Sequence, residues 1–410
     1  MAATLTFAYT GRDSSGKVVK GRVDAPSESS VVSRLRTMGI APIAIKQSAA
    51  GTGLNRDITL GGFLEKRVSI KDLAVASRQM ATMIGAGLPL LKALAILADQ
   101  SENTVLASTL DDVRGNVEGG GTFSDSLARH PKVFPPLFIN LVRAGEVGGF
   151  LESALESIAK NYEKEVQLRS TIKSALTYPV AVLIMALVAV VGMIIFIVPI
   201  FEQMFAGLGG TLPLPTLILV GISKNMVWIG PLLLVVGIAG TIWWRANRHT
   251  PKFRSIYEPA LLKIPVFGPL FAKVAIARFA RNFSTMVGSG VPILQALSII
   301  GSTSGNWEIE QALSKVQDSV RQGRSISAPL QDEKVFPSMV TQMIAVGEDS
   351  GALENMLDKI ADFYDAEVQS TTEALTSLIE PMMIAFLGVV LGGMIVALYL
   401  PIFDIFNQIQ

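Results

Sequence analysis

The chain carries the same block of sequence twice, and this repeat limits the folds that it can form. Residues 78–94 (RQMATMIGAGLPLLKAL) return as residues 281–297 (RNFSTMVGSGVPILQAL), with nine of 17 positions identical. Residues 133–152 return as 335–354, and both copies contain Val-Phe-Pro followed by Gly-Glu-x-x-Gly-x-Leu-Glu. The copies lie 202 to 203 residues apart, and each continues into a long apolar segment. Two related modules of this kind are more typical of a scaffold than of an enzyme.

Composition excludes several classes of function. Of the 410 residues, 50% are apolar and 17% are charged, a balance typical of membrane proteins. The net charge of +1 gives no general attraction for nucleic acid. The chain has no cysteine, and its two histidines, His130 and His249, lie far apart in sequence. We therefore expect no catalytic residues, no bound metal and no cofactor.

Three stretches are uncharged for long enough to cross a bilayer. They are residues 174–201, 225–244 and 381–403, which contain 28, 20 and 23 residues. A helix rises about 1.5 Å per residue, so about 20 residues cover a hydrocarbon core of about 30 Å. A buried core helix is the alternative for each stretch, but such helices seldom run uncharged for so long. The sequence therefore predicts three transmembrane helices.

Residues 203–223 are also uncharged, but their composition disfavours a fourth span. They contain glycines and prolines that break helices: Gly207, Gly209, Gly210, Pro213 and Pro215. An open backbone in lipid would leave polar groups without partners. We interpret residues 202–224 as an external loop that includes an interfacial run at 217–222, with a re-entrant hairpin as the alternative.

The basic residues near the spans predict the orientation. They precede the first span and follow the second: Arg169, Lys173, Arg245, Arg248, Lys252 and Arg254. The loop between these spans has only Lys224. Because basic residues favour the cytoplasmic side, residues 1–173 and 245–380 are expected inside, and 202–224 and 404–410 outside. The chain begins without the pattern of a cleaved signal peptide, which also predicts a cytoplasmic start.

Residues 1–47 are interpreted as a small α/β unit. Phe7 and Tyr9 alternate with polar residues as in a half-buried strand, and residues 18–23 read as the returning strand. Residues 27–38 look helical, and 42–45 can close the sheet as a third strand. Gly, Ser and Ala in the following residues indicate a linker, assigned to 48–68.

One motif in this unit imitates a phosphate-binding loop. Residues 11–17 fit the glycine and lysine spacing of such a loop, but Val18 stands where a Ser or Thr would ligate magnesium. A strand is expected next, so no helix N-terminus is available for a phosphate. We interpret the segment as a hairpin, and any ATP hydrolysis must then come from a partner.

From residue 69 the apolar pattern changes to a helical period. Residues 69–173 are expected to form one bundle of about six helices, and 245–380 a second. Glycine, proline and threonine mark the expected boundaries in the first copy: Gly85, Gly87, Pro89 and Thr122. The fold class is therefore mainly α and integral to the membrane, with two repeated cytoplasmic helical bundles, three transmembrane helices and the small N-terminal α/β unit.

The repeated residues resemble the inner-membrane platform protein of type IV pilus and type II secretion machines, called PilC or GspF. The likeness extends over nearly the whole chain. It rests on both Arg-x-x-x-Thr-Met-x-Gly-x-Gly-x-Pro blocks, on both Gly-Glu-x-x-Gly-x-Leu-Glu blocks, and on the N-terminal Phe7-x-Tyr9 unit. It also includes Thr177-Tyr-Pro179 and Glu380-Pro381, which lead into the first and third spans.

The resemblance implies a role without catalysis. Such platforms are thought to couple a cytoplasmic hexameric ATPase to pilin or pseudopilin subunits that leave the membrane. They are expected to contact the bilayer and other inner-membrane assembly proteins and to form homo-oligomers, commonly dimers. Within the family, residues 200–213 resemble the pilus branch more closely. The type II secretion branch, which acts on pseudopilins, is the alternative.

Three glutamates are candidate contacts to a partner or a second protomer. Glu146 and Glu348 lie in matched segments, 145–149 and 347–351, which read as tight turns. The alternative is that each carboxylate caps the helix that follows it. Glu380 lies at the edge of the third span, as Tyr178 does in the first, and is either a contact to a pilin helix or a residue beside a helix that starts at Pro381.

The glycines and prolines of the repeat are expected to have a structural role. They are Gly85, Gly87, Pro89, Gly145 and Gly149 in the first copy and Gly288, Gly290, Pro292, Gly347 and Gly351 in the second. Trp243 and Trp244 are expected to anchor the end of the second span at the membrane interface.

Other classes of function fit the sequence less well. A transporter would repeat its spans and place polar groups at mid-membrane, whereas this repeat is mostly soluble helix. A membrane enzyme would need a nucleophile, a metal site or an acid–base pair, and none stands out. A signalling receptor with helical modules is a third alternative, and stable association with a partner ATPase would separate the platform from all of them.

Overall fold

The computed structural model describes most of the chain. The described residues are 5–12, 18–25, 28–37, 41–47, 67–206, 212–248 and 250–408. They belong to two units, residues 1–65 and residues 66–410. The expected linker lies outside the described residues except for Arg67 and Val68, and so do His249 and three glycines of the expected external loop, Gly207, Gly209 and Gly210.

The N-terminal unit is a three-stranded sheet with one helix. Its elements are β1 (Leu5–Arg12), β2 (Val18–Ala25), α1 (Glu28–Thr37) and β3 (Ala41–Gln47). The strand order is β2-β1-β3, and β1 is antiparallel to both neighbours. Val31 and Leu35 of α1 are fully buried. Because β2 begins at Val18, a strand follows Lys17 where a phosphate-binding loop would need a helix N-terminus, which supports the hairpin interpretation.

The first copy of the repeat forms six helices. They are α2 (Ile70–Gly85), α3 (Leu90–Gln100), α4 (Thr104–Glu118), α5 (Phe123–Ala128), α6 (Pro136–Gly148) and α7 (Leu151–Gly192). Polar side chains satisfy the free backbone N–H groups where these helices begin. Ser69 and Asp72 form a capping box on α2, and Asn103 accepts from the N–H groups of the first turn of α4. The predicted cap of α5 by Thr122 is confirmed.

A long apolar region separates the two copies. The helix α7 continues through a π-helical turn (Met193–Ile197) into α8 (Val198–Ala206), and α9 (Leu214–Asn247) follows. The hydroxyl of Ser223 in α9 donates to the carbonyl of Ile194 over 2.7 Å. A π-helical turn leaves backbone groups without their usual helical partners, and Ser223 supplies one.

The second copy repeats the helix order of the first. A short helix, α10 (Pro251–Leu262), precedes it. The copy itself comprises α11 (Gly268–Gly288), α12 (Ile293–Thr303), α13 (Trp307–Arg321), α14 (Ser327–Gln331), α15 (Ser338–Ser350) and α16 (Leu353–Gln408). Asn306 caps α13 through the N–H of Ile309, as Asn103 caps α4. The repeat thus extends to the capping residues, which the matched motifs do not include.

The two copies share one hydrophobic core. In each copy the first helix packs along the last, α2 on α7 and α11 on α16. Buried side chains of both copies belong to one continuous cluster, which includes Leu94 and Leu155 of the first and Phe279, Phe283 and Ile344 of the second. Burial of each such side chain contributes about 1.5–3 kcal/mol. The two helical modules, which were expected as separate bundles, are therefore joined through one interior.

The matched segments 145–149 and 347–351 are not tight turns over their whole length. The helix α6 continues to Gly148 and α15 to Ser350, so the expectation of a turn is wrong for the first four residues of each segment. Only Gly149 and Gly351 adopt left-handed backbone conformations, with φ of 74° and 70°. That conformation reverses the chain and favours glycine.

Gly145 and Gly347 serve a close helix contact instead of a turn. A Cβ on Gly145 would lie 2.6 Å from the Cβ of Ala154 in α7. A Cβ on Gly347 would lie 3.0 Å from the Cα of Leu353 in α16. A side chain at either position would push α6 away from α7, or α15 away from α16. Glycine is therefore required in the helix interior, where it otherwise costs about 1 kcal/mol relative to alanine.

The region expected as an external loop is largely helical. α8 continues to Ala206, and α9 begins at Leu214, so the expected interfacial run 217–222 lies inside α9. Pro213 and Pro215 did not signal a break, because proline is tolerated at the first turn of a helix, where its missing N–H would have no partner. Similarly, no helix starts at Pro381, since α16 runs through it.

Three of the described helices are long and apolar enough to cross a membrane. They are Leu151–Phe205, Trp228–Asn247 and Leu353–Phe403. In the most apolar part of each stretch, no more than 17% of the residues are buried, and side chains such as Met185 and Val389 are exposed, at 65% and 76%. Side chains of this kind need an apolar environment that the rest of the described chain does not supply.

Replacement of Gly145 by alanine should destabilise the protein. The added methyl would overlap Ala154, and overpacking of this kind costs about 1–3 kcal/mol. The matched control is Gly115→Ala in α4, where the built Cβ has no heavy atom within 4 Å. That change should stabilise the protein by about 0.5–1 kcal/mol. Thermal unfolding of the purified chain in detergent measures both, and equal shifts would contradict the close contact.

Candidate functional site

The carboxylate of Glu146 holds a short helix within the first module. Its oxygens accept hydrogen bonds from the backbone N–H groups of Phe123 and Ser124, over 2.6 and 3.0 Å, and from the Ser124 hydroxyl over 2.7 Å. Glu146 thus caps α5, which precedes it in sequence by more than 20 residues. The alternative interpretation from the sequence, in which this carboxylate caps the following helix, is therefore wrong.

Glu348 repeats this arrangement in the second module. It accepts from the N–H groups of Ile326 and Ser327, over 2.7 and 3.1 Å, and from the Ser327 hydroxyl over 3.0 Å. Both glutamates are half-buried. Because a negative charge is favourable at a helix N-terminus, each carboxylate fastens a helix of only five or six residues, α14 or α5, to the longer helix behind it.

The two repeated motifs of each module contact one another. A Cβ on Gly85 would lie 3.0 Å from Glu152, and a Cβ on Gly288 would lie 2.4 Å from Glu354. The Gly-x-Gly-x-Pro block at the end of the first helix therefore packs against the last residue of the Gly-Glu block. Gly87 and Gly290 have positive φ, of 83° and 67°. The prolines that follow, Pro89 and Pro292, stand directly before α3 and α12.

An arginine at the start of each repeated block pairs with acids on the last helix. In the first module, Arg78 contacts Glu163 over 2.6 Å and Glu156 over 2.5 Å. Hydrogen bonds from Glu163 and Glu156 raise the pKa of Arg78. In the second module, Arg281 contacts Asp365 over 2.5 Å and Asp358 over 3.9 Å. These pairs tie α2 to α7 and α11 to α16.

The two arginine sites differ in burial. The Arg78 side chain is 36% exposed and that of Arg281 is 10% exposed. The acids of the second module are aspartates where the first has glutamates, so their shorter side chains hold the arginine closer to the helix. Arg281 also contacts Asp362 over 3.3 Å. The second module therefore has the more enclosed arginine site.

Polar side chains join the modules to each other. Arg278 of α11 donates two hydrogen bonds to Glu165 of α7, over 2.7 and 3.0 Å. Buried Asn161 of α7 donates to Asn282 and Thr285 of α11, over 3.1 Å each. A two-point arginine–carboxylate contact fixes orientation as well as distance. The junction therefore specifies how α7 lies against α11.

A polar cleft of about 520 Å³ lies beside this junction. Residues of α7, α11 and the first turns of α16 form its walls, among them Lys160, Arg281 and Lys359. Glu354 and Asp358 are also in the wall, so the charge of the cleft is mixed. Among the described residues, no group of three His, Asp or Glu side chains is arranged to hold a metal ion.

The apolar helices meet at the end away from the modules. Val198 of α8, Val220 of α9 and Leu398 of α16 form a small buried cluster. Beside it, Lys224 and Glu202 form an ion pair of 2.6 Å. Lys224 therefore lies within a helix and has an acidic partner, whereas an external loop was predicted at this position.

Comparison with known families decides the identity of this architecture. The family described as "Type II secretion system (T2SS), protein F" matches residues 76–199 and again 279–401. Its N-terminal domain, described separately, matches residues 1–46. The chain belongs to the type II secretion system protein F family. The two matched ranges are the two copies of the repeat with their apolar segments.

Curated relatives match over almost the whole chain. A type IV pilus assembly protein PilC of Myxococcus xanthus is 42% identical over 100% of this chain and 97% of its own length. The PilC of Thermus thermophilus is 40% identical, over 98% of this chain and 99% of its own length. A type II secretion system protein F of Pseudomonas aeruginosa is 35% identical over the same shares, 98% and 99%.

Glu380 is placed differently from the other two glutamates of this protein F family member. Its side chain is exposed on α16, and in the described part of the chain it makes no hydrogen bond or ion pair. Tyr178 is likewise exposed, at 58%. Of the three candidate contacts, Glu380 alone has a carboxylate that the described residues leave without a partner.

Sequence reasoning missed several residues that organise these modules. Glu152 and Glu354 were part of the matched motif, and Arg78 and Arg281 began it, but neither pair was assigned a role. The same residue type stands at each of these positions in both copies, and this identity could have indicated that they have a role. The aspartates that contact Arg281 gave less signal, because the first copy has glutamates in their places.

Replacement of Glu348 by glutamine should loosen α14. The variant keeps the shape of the side chain but loses charge-assisted hydrogen bonds to two backbone N–H groups, at a cost of about 1.5–3 kcal/mol. Tryptic cleavage at Arg324, just before α14, should then become faster in the folded chain. The matched control is Asp349→Asn, since Asp349 is exposed and has no hydrogen-bond partner among the described residues. Equal cleavage rates in both variants would contradict this role of Glu348.

The contact between Arg278 and Glu165 should show measurable coupling. A double-mutant cycle with Arg278→Gln and Glu165→Gln should give a coupling energy of about 1–2 kcal/mol in thermal unfolding, because both side chains are largely shielded from water. The control cycle uses Lys315 and Glu333, where the lysine is 66% exposed. It should give less than about 1 kcal/mol. A coupling energy no larger than that of the control pair would show that the contact between Arg278 and Glu165 does not help to join the modules.

Proposed function

We propose that this chain is the inner-membrane platform protein of a type IV pilus assembly machine. The observation that carries the proposal is the architecture itself. Two copies of one helical module share a core, and each copy continues without interruption into an apolar helix. Relatives named as type IV pilus assembly proteins reach 42% and 40% identity, against 35% for a type II secretion relative.

The charges support a topology in which both modules lie in the cytoplasm. From Lys224 to Arg245 the helix α9 is uncharged, and at about 1.5 Å per residue this stretch covers a hydrocarbon core of about 30 Å. The Lys224–Glu202 pair then marks the outer boundary, and the basic residues after α9 lie inside. The first part of α9, before Lys224, would stand outside the bilayer against α8. The C-terminal tail would also lie outside.

The proposed mechanism is mechanical coupling through the long helices. α16 has 56 residues, of which the first part packs in the second module and the later part is apolar. A displacement of that module by a hexameric assembly ATPase would move the apolar part with it, since an unbroken helix transmits both rotation and translation. α7 gives the first module the same connection. Pilin subunits in the membrane would be displaced by this movement of the apolar helices.

The candidate contacts take different parts in this proposal. Glu146 and Glu348 act by holding α5 and α14 in place, so that a partner ATPase would meet the ordered surface around them. Val147, exposed at 85%, lies next to Glu146 on that surface. Glu380 would contact a pilin helix or the span of another protomer in a homodimer, because it is exposed and lies at the edge of the apolar segment.

A type II secretion platform that acts on pseudopilins is the second candidate. The observation that favours it is the 35% identity to a type II secretion protein F over 98% of this chain. The architecture is the same in both cases. The two candidates differ in which subunits, pilins or pseudopilins, are moved.

Deletion of the gene should abolish surface filaments and leave protein secretion intact. The wild-type chain and the Asp349→Asn variant should both restore filaments, because Asp349 has no described role. Electron microscopy of the cell surface and assay of secreted enzymes in the culture medium give the two readouts. Lost secretion with filaments intact would assign the chain to the secretion branch. If neither changed in a strain without a second copy of the gene, the platform proposal would be wrong.

A further inference from the structure

The segment that follows α9 is strongly basic and partly apolar. Residues 245–271 contain five basic side chains and one acidic side chain, Glu258. The helix α10 occupies the middle of this segment, and a tight turn leads from it to α11. The segment lies outside both residue ranges that match the protein F family. Its features are therefore not part of the repeated module.

Aromatic side chains hold α10 against the end of α9. The ring of Phe253 lies 5.4 Å from that of Trp243 and 5.1 Å from that of Trp244. Tyr257, one turn later, lies 5.2 Å from Trp244. Edge-on contacts of this kind are favourable. They keep the start of α10 at the level where α9 ends, which in the proposed topology is the inner surface of the membrane.

A second face of α10 is fixed on the second module. Arg254 contacts Glu258 over 2.9 Å and Glu310 of α13 over 2.8 Å, and its guanidinium lies 5.7 Å from the centre of the Trp307 ring. Glu258 is 7% exposed. The one acidic side chain of the segment is thus buried and paired with Arg254. These contacts fix the rotation of α10 about its own axis.

The face that remains outward combines two lysines with an apolar side chain. Lys252, Ile256 and Lys263 follow one another at intervals of four and seven residues, which places them on one side of a helix. Ile256 is 72% exposed, and both lysines are exposed. Neither lysine has an ion pair within the described part of the chain. An apolar protein surface would leave these charges without partners, whereas an anionic membrane surface would supply them.

The turn after α10 presents further apolar side chains in a strained conformation. Val266 has φ of 75°, which is rare for a residue branched at Cβ. The N–H of Gly268 donates to the carbonyl of Ile264 over 2.8 Å and closes the turn. Ile264 and Val266 are 39% and 46% exposed. Strained residues of this kind cluster at binding and functional sites.

We infer that α10 and this turn form a membrane-surface anchor that binds anionic phospholipid. Lys252 and Lys263 would contact lipid phosphates, while Ile256, Ile264 and Val266 would enter the boundary between headgroups and acyl chains. Interfacial helices combine an apolar face with basic residues in this manner. The anchor would restrict the second module to movements that keep α10 at the inner surface of the bilayer. This inference rests on the proposed crossing of the membrane by α9.

The absence of cysteine makes the anchor directly testable. Four single-cysteine variants of the full chain, each carrying a fluorophore, are reconstituted in vesicles of phosphatidylcholine with or without phosphatidylglycerol. Ile256→Cys and Val266→Cys probe the anchor. Val236→Cys, within α9, reports on the span, and Val346→Cys, 58% exposed on the second module, reports on water. Nitroxide lipids quench labels in the bilayer, and iodide quenches labels in water.

The anchor predicts that the labels of Ile256→Cys and Val266→Cys are quenched by nitroxide lipid, and more strongly in anionic vesicles. In the double variant Lys252→Gln and Lys263→Gln, both labels should become accessible to iodide quenching. Each lost charge weakens binding to an anionic membrane surface by about fivefold. The matched control replaces two exposed lysines of the modules, Lys132→Gln with Lys359→Gln, and should leave both labels unchanged.

Three outcomes would overturn the inference. Iodide quenching at Ile256→Cys and Val266→Cys equal to that at Val346→Cys, with Val236→Cys protected, would leave the span intact and remove the anchor. Protection of the two anchor labels from both quenchers would show that protein covers this face in place of lipid. Iodide quenching at Val236→Cys as well would refute the crossing of the membrane by α9, and with it the proposed topology.

Discussion

The close contact between a glycine and the first turns of the next helix determines how each module is built. Gly145 lets α6 approach α7 until its Cα lies where a side chain would overlap Ala154, and Gly347 does the same for α15 and α16. One left-handed residue, Gly149 or Gly351, then reverses the chain between the two helices. α7 and α16 begin at this contact and then extend past the module. The close contact at each glycine therefore helps to set the direction in which the apolar helix leaves its module.

Ion pairs and hydrogen bonds to charged side chains hold the packed helices of each module in place. Glu146 and Glu348 fasten the shortest helices of the two modules, which are too short to be stable alone. Arg78 and Arg281 then tie the first long helix of each module to the last. The junction between Arg278 and Glu165 adds a fixed orientation between the modules. Each layer of polar contacts depends on the helix spacing that the glycines permit, since these hydrogen bonds tolerate little change in distance.

Features with a local physical cause could be predicted from the sequence. Helical periodicity, the cap at Thr122 and the uncharged stretches each depend on residues within one or two turns, and the structure has them. The partner of Glu146 could not be predicted, because a carboxylate near the end of one helix can cap any helix N-terminus that the fold brings to it. Gly145 was assigned to a turn for the same reason, since a glycine that is required by a neighbouring helix looks no different in sequence from one that reverses the chain.

Other differences arise from rules that apply only on average. Pro213 and Pro215 suggested that the chain was not helical, yet proline breaks a helix only beyond its first turn. Arg78 and Arg281 could have been found from their identity in the two copies. Their acidic partners lie about 80 residues away along the chain, and only the packing of α2 on α7 and of α11 on α16 brings them together.

The π-helical turn at Met193–Ile197 has a geometric consequence for the outer end of the first apolar helix. Such a turn holds one residue more than an α-helical turn, so every later residue is rotated by about 100° about the axis relative to an unbroken α-helix. This rotation is what brings Val198 to face Val220 and Leu398. A chain shorter by one residue in this turn would keep its composition and hydropathy, but it would direct Val198 toward lipid and separate the outer ends of the three apolar helices.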